Sequence, residues 1–236
     1  MPVNVLTQAD FSPQPASEAR RRFAQKAALT SELFDRLTEA AQRRAFRVAG
    51  VNNARLIQAV RNRIAAAIED GRLWPDVRRE LTRLFSATGQ ELPGLHRLRQ
   101  VFITNTQMAY NDARREVLEK QADTFPYWQY LTVGNGTPGV NGVRDEHARL
   151  HGLIFRSDDP FWDAHYPPWG FNCRCTVAAL TPGQVRGLDA PVRDLGYVRN
   201  KLGIPAQAAF DRSGEPDLSN IDADLRRALE AMIDEF

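Results

Sequence analysis

Apolar positions recur every three or four residues through the first half of the chain and turn into aromatic and β-branched clusters in the second. From Thr30 or Ser31 as a cap, Leu33, Phe34, Leu37, Ala41, Ala45 and Val48 predict a first helix that ends at Gly50. Asn52 or Asn53 can accept the free N–H groups of a second, whose stripe is Leu56, Ile57, Val60, Ile64 and Ile68 and whose stop is Gly71. A third runs from Pro75 over Val77, Leu81, Leu84 and Phe85 to a stop before Gly89. After Pro93 a longer helix buries Leu95, Leu98, Phe102 and Met108 and carries charge toward Lys120.

Near Thr124 the pattern changes. FPYWQYLTV predicts a strand, because Pro126 blocks helix continuation and an aromatic run suits a pleated, half-buried surface. Residues 134 to 142, GNGTPGVNG, read as a loop; DEHARLH follows as a short helix stopped by Gly152, then LIF as a strand, a proline-rich loop to Gly170, and CRCTVAAL as another strand. Beyond Thr181 a connector leads to a last amphipathic helix with Ile221, Leu225, Leu229, Met232 and Phe236 on one side. The expected fold class is therefore α+β: an N-terminal helical lobe, a small mixed lobe and a C-terminal amphipathic helix. The corresponding segments are a basic, flexible arm over 1–28, a helical lobe over 29–103, an α+β domain over 104–181, and connector plus helix over 182–236.

Composition narrows the function classes. Lys plus Arg exceed Asp plus Glu by only two, 31 against 29, which gives no general attraction for nucleic acid. A local contact with DNA or a partner could use Arg20, Arg21, Arg22 and Lys26, although such a run is more commonly a solvated helix face. No apolar run approaches the roughly 20 residues that cross a bilayer, and MPVNVLTQADFSPQP lacks a basic segment followed by an apolar one, so synthesis in the cytoplasm is expected.

Candidate chemistry concentrates between Arg144 and Cys175, which hold three of the four histidines and both cysteines. His147 and His151 stand one helical turn apart, and in an extended segment Cys173 and Cys175 share a face. Together they could complete a tetrahedral, structural zinc site. Burial of the two thiols as small hydrophobes is the stronger reading, because a single intervening residue makes a tighter chelate than zinc usually takes. An alternative uses His147, His151 and His165 with Asp145, Asp158 and Asp159 in a metal-dependent hydrolase or nuclease. HARLH lacks the glutamate of the HExxH pattern, however, and Asp158-Asp159-Pro160 looks like a turn.

In order, TNTQMAYNDARRE, PYWQYLTV, RDEHARLHGLIF and DDPFWDAHYPPWGFNCRCTVAAL resemble the phage Mu F-protein-like minor head family, also called phage head morphogenesis proteins. The likeness is strongest from about Ile103 to Leu180, with weaker traces in AFRVAG and IEDGRLWPDVRREL. Arg144, His147, Gly152, Pro167, Pro168, Gly170, Asn172, Cys173, Arg174 and Cys175 match the family motif. The resemblance implies a non-enzymatic component of the virion head of a tailed phage or prophage, made in the host cytoplasm. Its implied partners are portal and/or major capsid protein, scaffold protein and, weakly, packaged DNA. The residues themselves point to no membrane and to no cofactor, apart from the structural zinc that the His/Cys spacing would allow.

Overall fold

The computed structural model of the chain describes residues 16–37, 42, 45–133, 136–139 and 142–205. Its helical lobe is built from α1 (Ala16–Ala24), β1 (Ala27–Ala28), α2 (Ser31–Asp35), β2 (Ala45–Phe46), α3 (Ala54–Glu69), α4 (Trp74–Thr88) and α5 (Leu95–Lys120). The apolar stripes lie inward as the periodicity requires. The Asn53 side chain accepts the Leu56 N–H at 3.1 Å to start α3, and Leu56, Ile57, Val60, Ile64 and Ile68 are all buried. Pro75 opens α4; Val77, Leu81 and Phe85 point inward; Gly89 closes the helix.

The mixed lobe adds β3 (Tyr127–Leu131), α6 (Asp145–Leu150), β4 (Ile154–Arg156), α7 (Phe161–His165), β5 (Thr176–Leu180), α8 (Pro182–Leu188), β6 (Val192–Arg193) and α9 (Leu195–Tyr197). A wider π-type turn over Val198–Leu202 follows α9. The sheet order is β5-β3-β4-β6, with β3 antiparallel to both neighbours and β4 parallel to β6. Trp128 pairs with Phe155 on one side and Tyr130 with Val177 on the other, which fixes one buried face of aromatics. The architecture is α+β, as the residue pattern implied.

Three segments differ from that pattern's simplest reading. Residues 16–24, assigned to a flexible arm, form a helix that buries Ala19 and Phe23 against the helical core and pairs Arg20 with Glu69 at 3.0 Å and Arg22 with Glu116. Among the described residues between Thr30 and Gly50, expected as one helix, stand the short α2, capped by Thr30, and the β2 strand parallel to β1. A continuous helix could not satisfy both neighbours: Leu33, Phe34 and Leu37 pack with Ala27, Leu29 and Ala45 in a small cluster of their own, while Phe46 and Val48 enter the main core. The boundary at 103/104 falls inside α5. That helix supplies Leu98, Phe102 and Ala109 to the helical core and Met108 and Leu118 to the mixed one. The expected helix around Ile221 to Phe236 lies outside the described residues.

Candidate functional site

The centre of the mixed lobe is assembled by three short segments. In β3 the side chains alternate, so Trp128 and Tyr130 face inward while their neighbours are half-buried. Helix α6 has Asp145 and Glu146 in its first turn, favourable near the positive helix end, and turns His147, Ala148 and Leu150 inward. Gly152, at φ +81°, takes the left-handed conformation that lets the chain leave α6 for β4. The third segment runs from Tyr166 through a cis Pro167–Pro168 peptide to the cysteines, which lie just before β5 rather than within it.

These segments bring His147, Cys173 and Cys175 together. All three are buried, and their candidate ligand atoms lie within 4.8 Å of one another. His147 Nδ1 is 3.4 Å from Cys175 Sγ, 3.6 Å from Cys173 Sγ and 3.2 Å from Tyr130 Oη. The Trp169 indole N–H donates to Tyr130 Oη at 2.7 Å, and the Trp169 ring stacks on His147 with centroids 4.0 Å apart and an interplanar angle of 8°. On the other edge of the imidazole, Arg144 Nη2 donates to Nε2 at 2.6 Å. A guanidinium offers no acceptor, so Nε2 accepts and the ring proton of a neutral His147 sits on Nδ1, toward the sulfurs and the phenol. Gly170 makes room for this contact, since a Cβ there would overlap the Arg144 guanidinium.

The two thiols are shifted in opposite directions. A hydrogen bond from Cys175 holds the Cys173 thiol well below its ordinary value against the opposing effect of burial, and His147 adds to the lowering. The same hydrogen bond to Cys173, reinforced by burial, pushes Cys175 far up. Burial also drives the Tyr130 phenol well above its usual range, so it stays protonated.

The fourth proposed ligand, His151, is elsewhere. Helix α6 ends at Leu150, and His151 adopts φ −58° and ψ 130°, which takes it off the face that carries His147. Its Nδ1 accepts the Thr132 N–H at 3.0 Å and lies 3.1 Å from Thr132 Oγ1, and burial lowers its pKa. The residues named for hydrolytic chemistry also disperse. His165 is stacked against Phe161 and edge-on to Trp169 in the aromatic core. Asp145 pairs with Arg149 at 3.1 Å and Asp158 with Arg156 at 2.9 Å, both at the surface. Asp159 accepts the N–H of Phe161 at 2.8 Å and of Leu195 at 3.2 Å, the local turn that its sequence suggested.

In the basic run, Arg20 pairs with Glu69, Arg21 with Glu18, and Arg22 with Glu18 and Glu116, while the Lys26 carbonyl accepts from buried Arg61 at 2.6 Å. Arg174 is exposed beside the buried cysteines, and Asn172 holds a left-handed φ of 57° while its N–H donates to Thr104 Oγ1 on α5 at 3.3 Å. Reading the residues one at a time missed Tyr130 as a polar partner of His147 and Trp169 as the ring stacked on it. The alternation in PYWQYL was the available signal for Tyr130, since it places that residue on the inner face with Trp128. Arg115, which bonds the Trp162 carbonyl at 3.1 Å and Asp163 at 3.0 Å, was missed too, and it ties α5 to α7.

Comparison with known proteins bears on the family of the chain. The family described as "Phage Mu protein F like protein" matches residues 58–178, from the middle of α3 into β5. Protein F of Escherichia phage Mu, whose name provisionally assigns it to capsid assembly, is 32% identical over 213 residues, covering 81% of this chain and 46% of its own. The Mu-like prophage FluMu F protein of Haemophilus influenzae is 33% identical over 164 residues, covering 64% of this chain and 38% of its own. The chain thus spans less than half the length of either relative. No solved structure matches it.

Proposed function

Because the chain belongs to the phage Mu protein F-like family, we propose that it is a minor head protein that acts in capsid assembly of a tailed bacteriophage or prophage, docking on portal or major capsid protein. The observation that carries this reading is the match of residues 58–178 together with a relative named for capsid assembly. The geometry favours a structural role over turnover. His147, Cys173 and Cys175 are sealed in an aromatic core with 2%, 5% and 4% exposure, where no polymer substrate can reach them, and the nearby carboxylates serve ion pairs and turns. On this reading the protein works in the phage head, after synthesis in the host cytoplasm.

A tagged copy in an induced lysogen, followed by mass spectrometry of purified heads and electron microscopy of a deletion strain, tests this. The chain should be recovered with heads or head intermediates, cross-linked to portal or capsid protein, and its loss should reduce the yield of filled heads. Heads that contain none of it, together with an undiminished yield from the deletion strain, would refute the assignment.

A further inference from the structure

We propose that His147 Nδ1, Cys173 Sγ and Cys175 Sγ bind one thiophilic divalent ion, zinc by class, which pins α6 to the segment entering β5. The donor spacing carries the argument. Zinc bound at about 2.3 Å to sulfur and about 2.0 Å to nitrogen in a tetrahedron sets N···S edges of roughly 3.5 Å; the two edges here are 3.4 and 3.6 Å. Such convergence is not what burial alone produces. A cysteine filling apolar space has no need to face an imidazole nitrogen, yet both sulfurs face the same one. The donors come from segments 26 and 28 residues apart, so their meeting is a product of the fold and not of local chain geometry.

Three protein ligands leave a fourth position, and Tyr130 Oη, 3.2 Å from Nδ1, is the oxygen placed beside it. The surroundings define the kind of site. Three buried donors in a largely aromatic shell suit an ion that holds structure, not one that handles substrate. Arg144 has a distinct part. Metal-bound histidines usually give their second nitrogen an acceptor, whereas Nε2 here meets a donor 2.6 Å away. Binding would release the Nδ1 proton, and any proton still held by the two thiols, to solvent, and the Arg144 guanidinium at Nε2 would balance the negative charge left on the ring.

The test uses the full chain expressed in zinc-supplemented medium and purified under reducing conditions. Elemental analysis should find one zinc per chain, and exchange with Co²⁺ should give intense thiolate-to-cobalt charge-transfer absorption and tetrahedral ligand-field bands. Chelator should lower the melting temperature by ~10 °C, the shift expected when a ligand held about a thousandfold above its Kd is removed from a chain of this size. His147→Gln and Cys173→Ser should lose the cobalt spectrum, while His151→Gln keeps it. If either ligand variant fails to fold, the wild-type cobalt spectrum and chelator-dependent melting decide the matter alone. Substoichiometric metal with no charge-transfer band, or a melting curve indifferent to chelator, overturns the proposal; loss of the spectrum in folded His151→Gln overturns the three-ligand assignment.

Discussion

The two cores of this molecule are built on different terms. The helical core is mainly aliphatic, with Leu56, Ile57, Val60, Ile64, Val77 and Leu81 meeting across helix faces around Phe23, Phe46, Phe85 and Phe102, and its buried side chains carry no polar atoms that need partners. The core of the mixed lobe is made of Trp128, Tyr130, Phe155, Phe161, Trp162, Tyr166 and Trp169, and several of these carry polar atoms or stack in fixed geometry. Substitution in the first kind of core changes mainly volume. In the second it also leaves hydrogen-bonding groups without partners, so tolerance should differ sharply between the lobes.

The contrast is most severely tested at Trp169, which is fully buried, stacks on His147 and donates to Tyr130. Trp169→Ala should cost about 3–5 kcal/mol, read from the urea midpoint, with loss of the near-ultraviolet circular dichroism of the aromatic cluster. A loss no larger than that of Ile64→Val, for which about 1 kcal/mol is expected, would erase the distinction.

A finer probe keeps volume and removes one oxygen. Tyr130→Phe leaves the Trp169 N–H without its acceptor and removes the phenol beside His147, for an expected cost of about 1–3 kcal/mol. Phe85→Leu in the helical lobe, a shape change with no polar consequence, should cost less, about 1 kcal/mol. Equal costs in chemical denaturation would mean that the polar partners of the aromatic lobe add nothing.

Within the helical lobe the sensitive points should be helix ends. Asn53→Ala removes the acceptor for the Leu56 N–H and should cost about 1 kcal/mol, with Asn53→Ser restoring most of it in thermal melts. The smallest effect is one of pH. Burial lowers the pKa of His151, so the unfolded chain takes up a proton more readily there. Its contribution is present above the ordinary histidine value of about 6.5 and is lost as pH falls from there through the lower folded value. The ring is partly solvated, so the contribution is small. His151→Gln should flatten the slope of stability with pH in that window; an unchanged slope would assign it to other groups.

The same division explains what was legible in the sequence. Helices α3, α4 and α5 were readable because an aliphatic stripe and its caps are local signals, and Asn53, Pro75 and Gly89 stand where the pattern put them. The strand β3 was readable from its aromatic alternation. Helix α1 was obscured because its arginines dominate the composition, while Ala19 and Phe23 carry its burial and Glu18, Glu69 and Glu116 answer its charge. The region of α2 was misleading because Leu33 and Val48 share a helical period yet belong to different clusters.

At the candidate site, spacing identified His147, Cys173 and Cys175 but could not separate His147 from His151. Both lie on one face only if the helix continues, and where α6 ends is decided by Gly152 and by the bond from Thr132 to His151. The placement of Arg144 over Gly170 is likewise a tertiary fact, with no trace in local spacing.

Helix α5 gives the two cores a common axle. Its 26 residues extend for about 39 Å, with Leu98 and Phe102 gripped at one end and Leu118 at the other, and Arg115 bolts that second end to α7. A rod of this kind curves only gently while its hydrogen bonds hold. Torque applied to the helical lobe therefore reaches the aromatic lobe with little slack, and whatever surface grips one of them also sets the heading of the other.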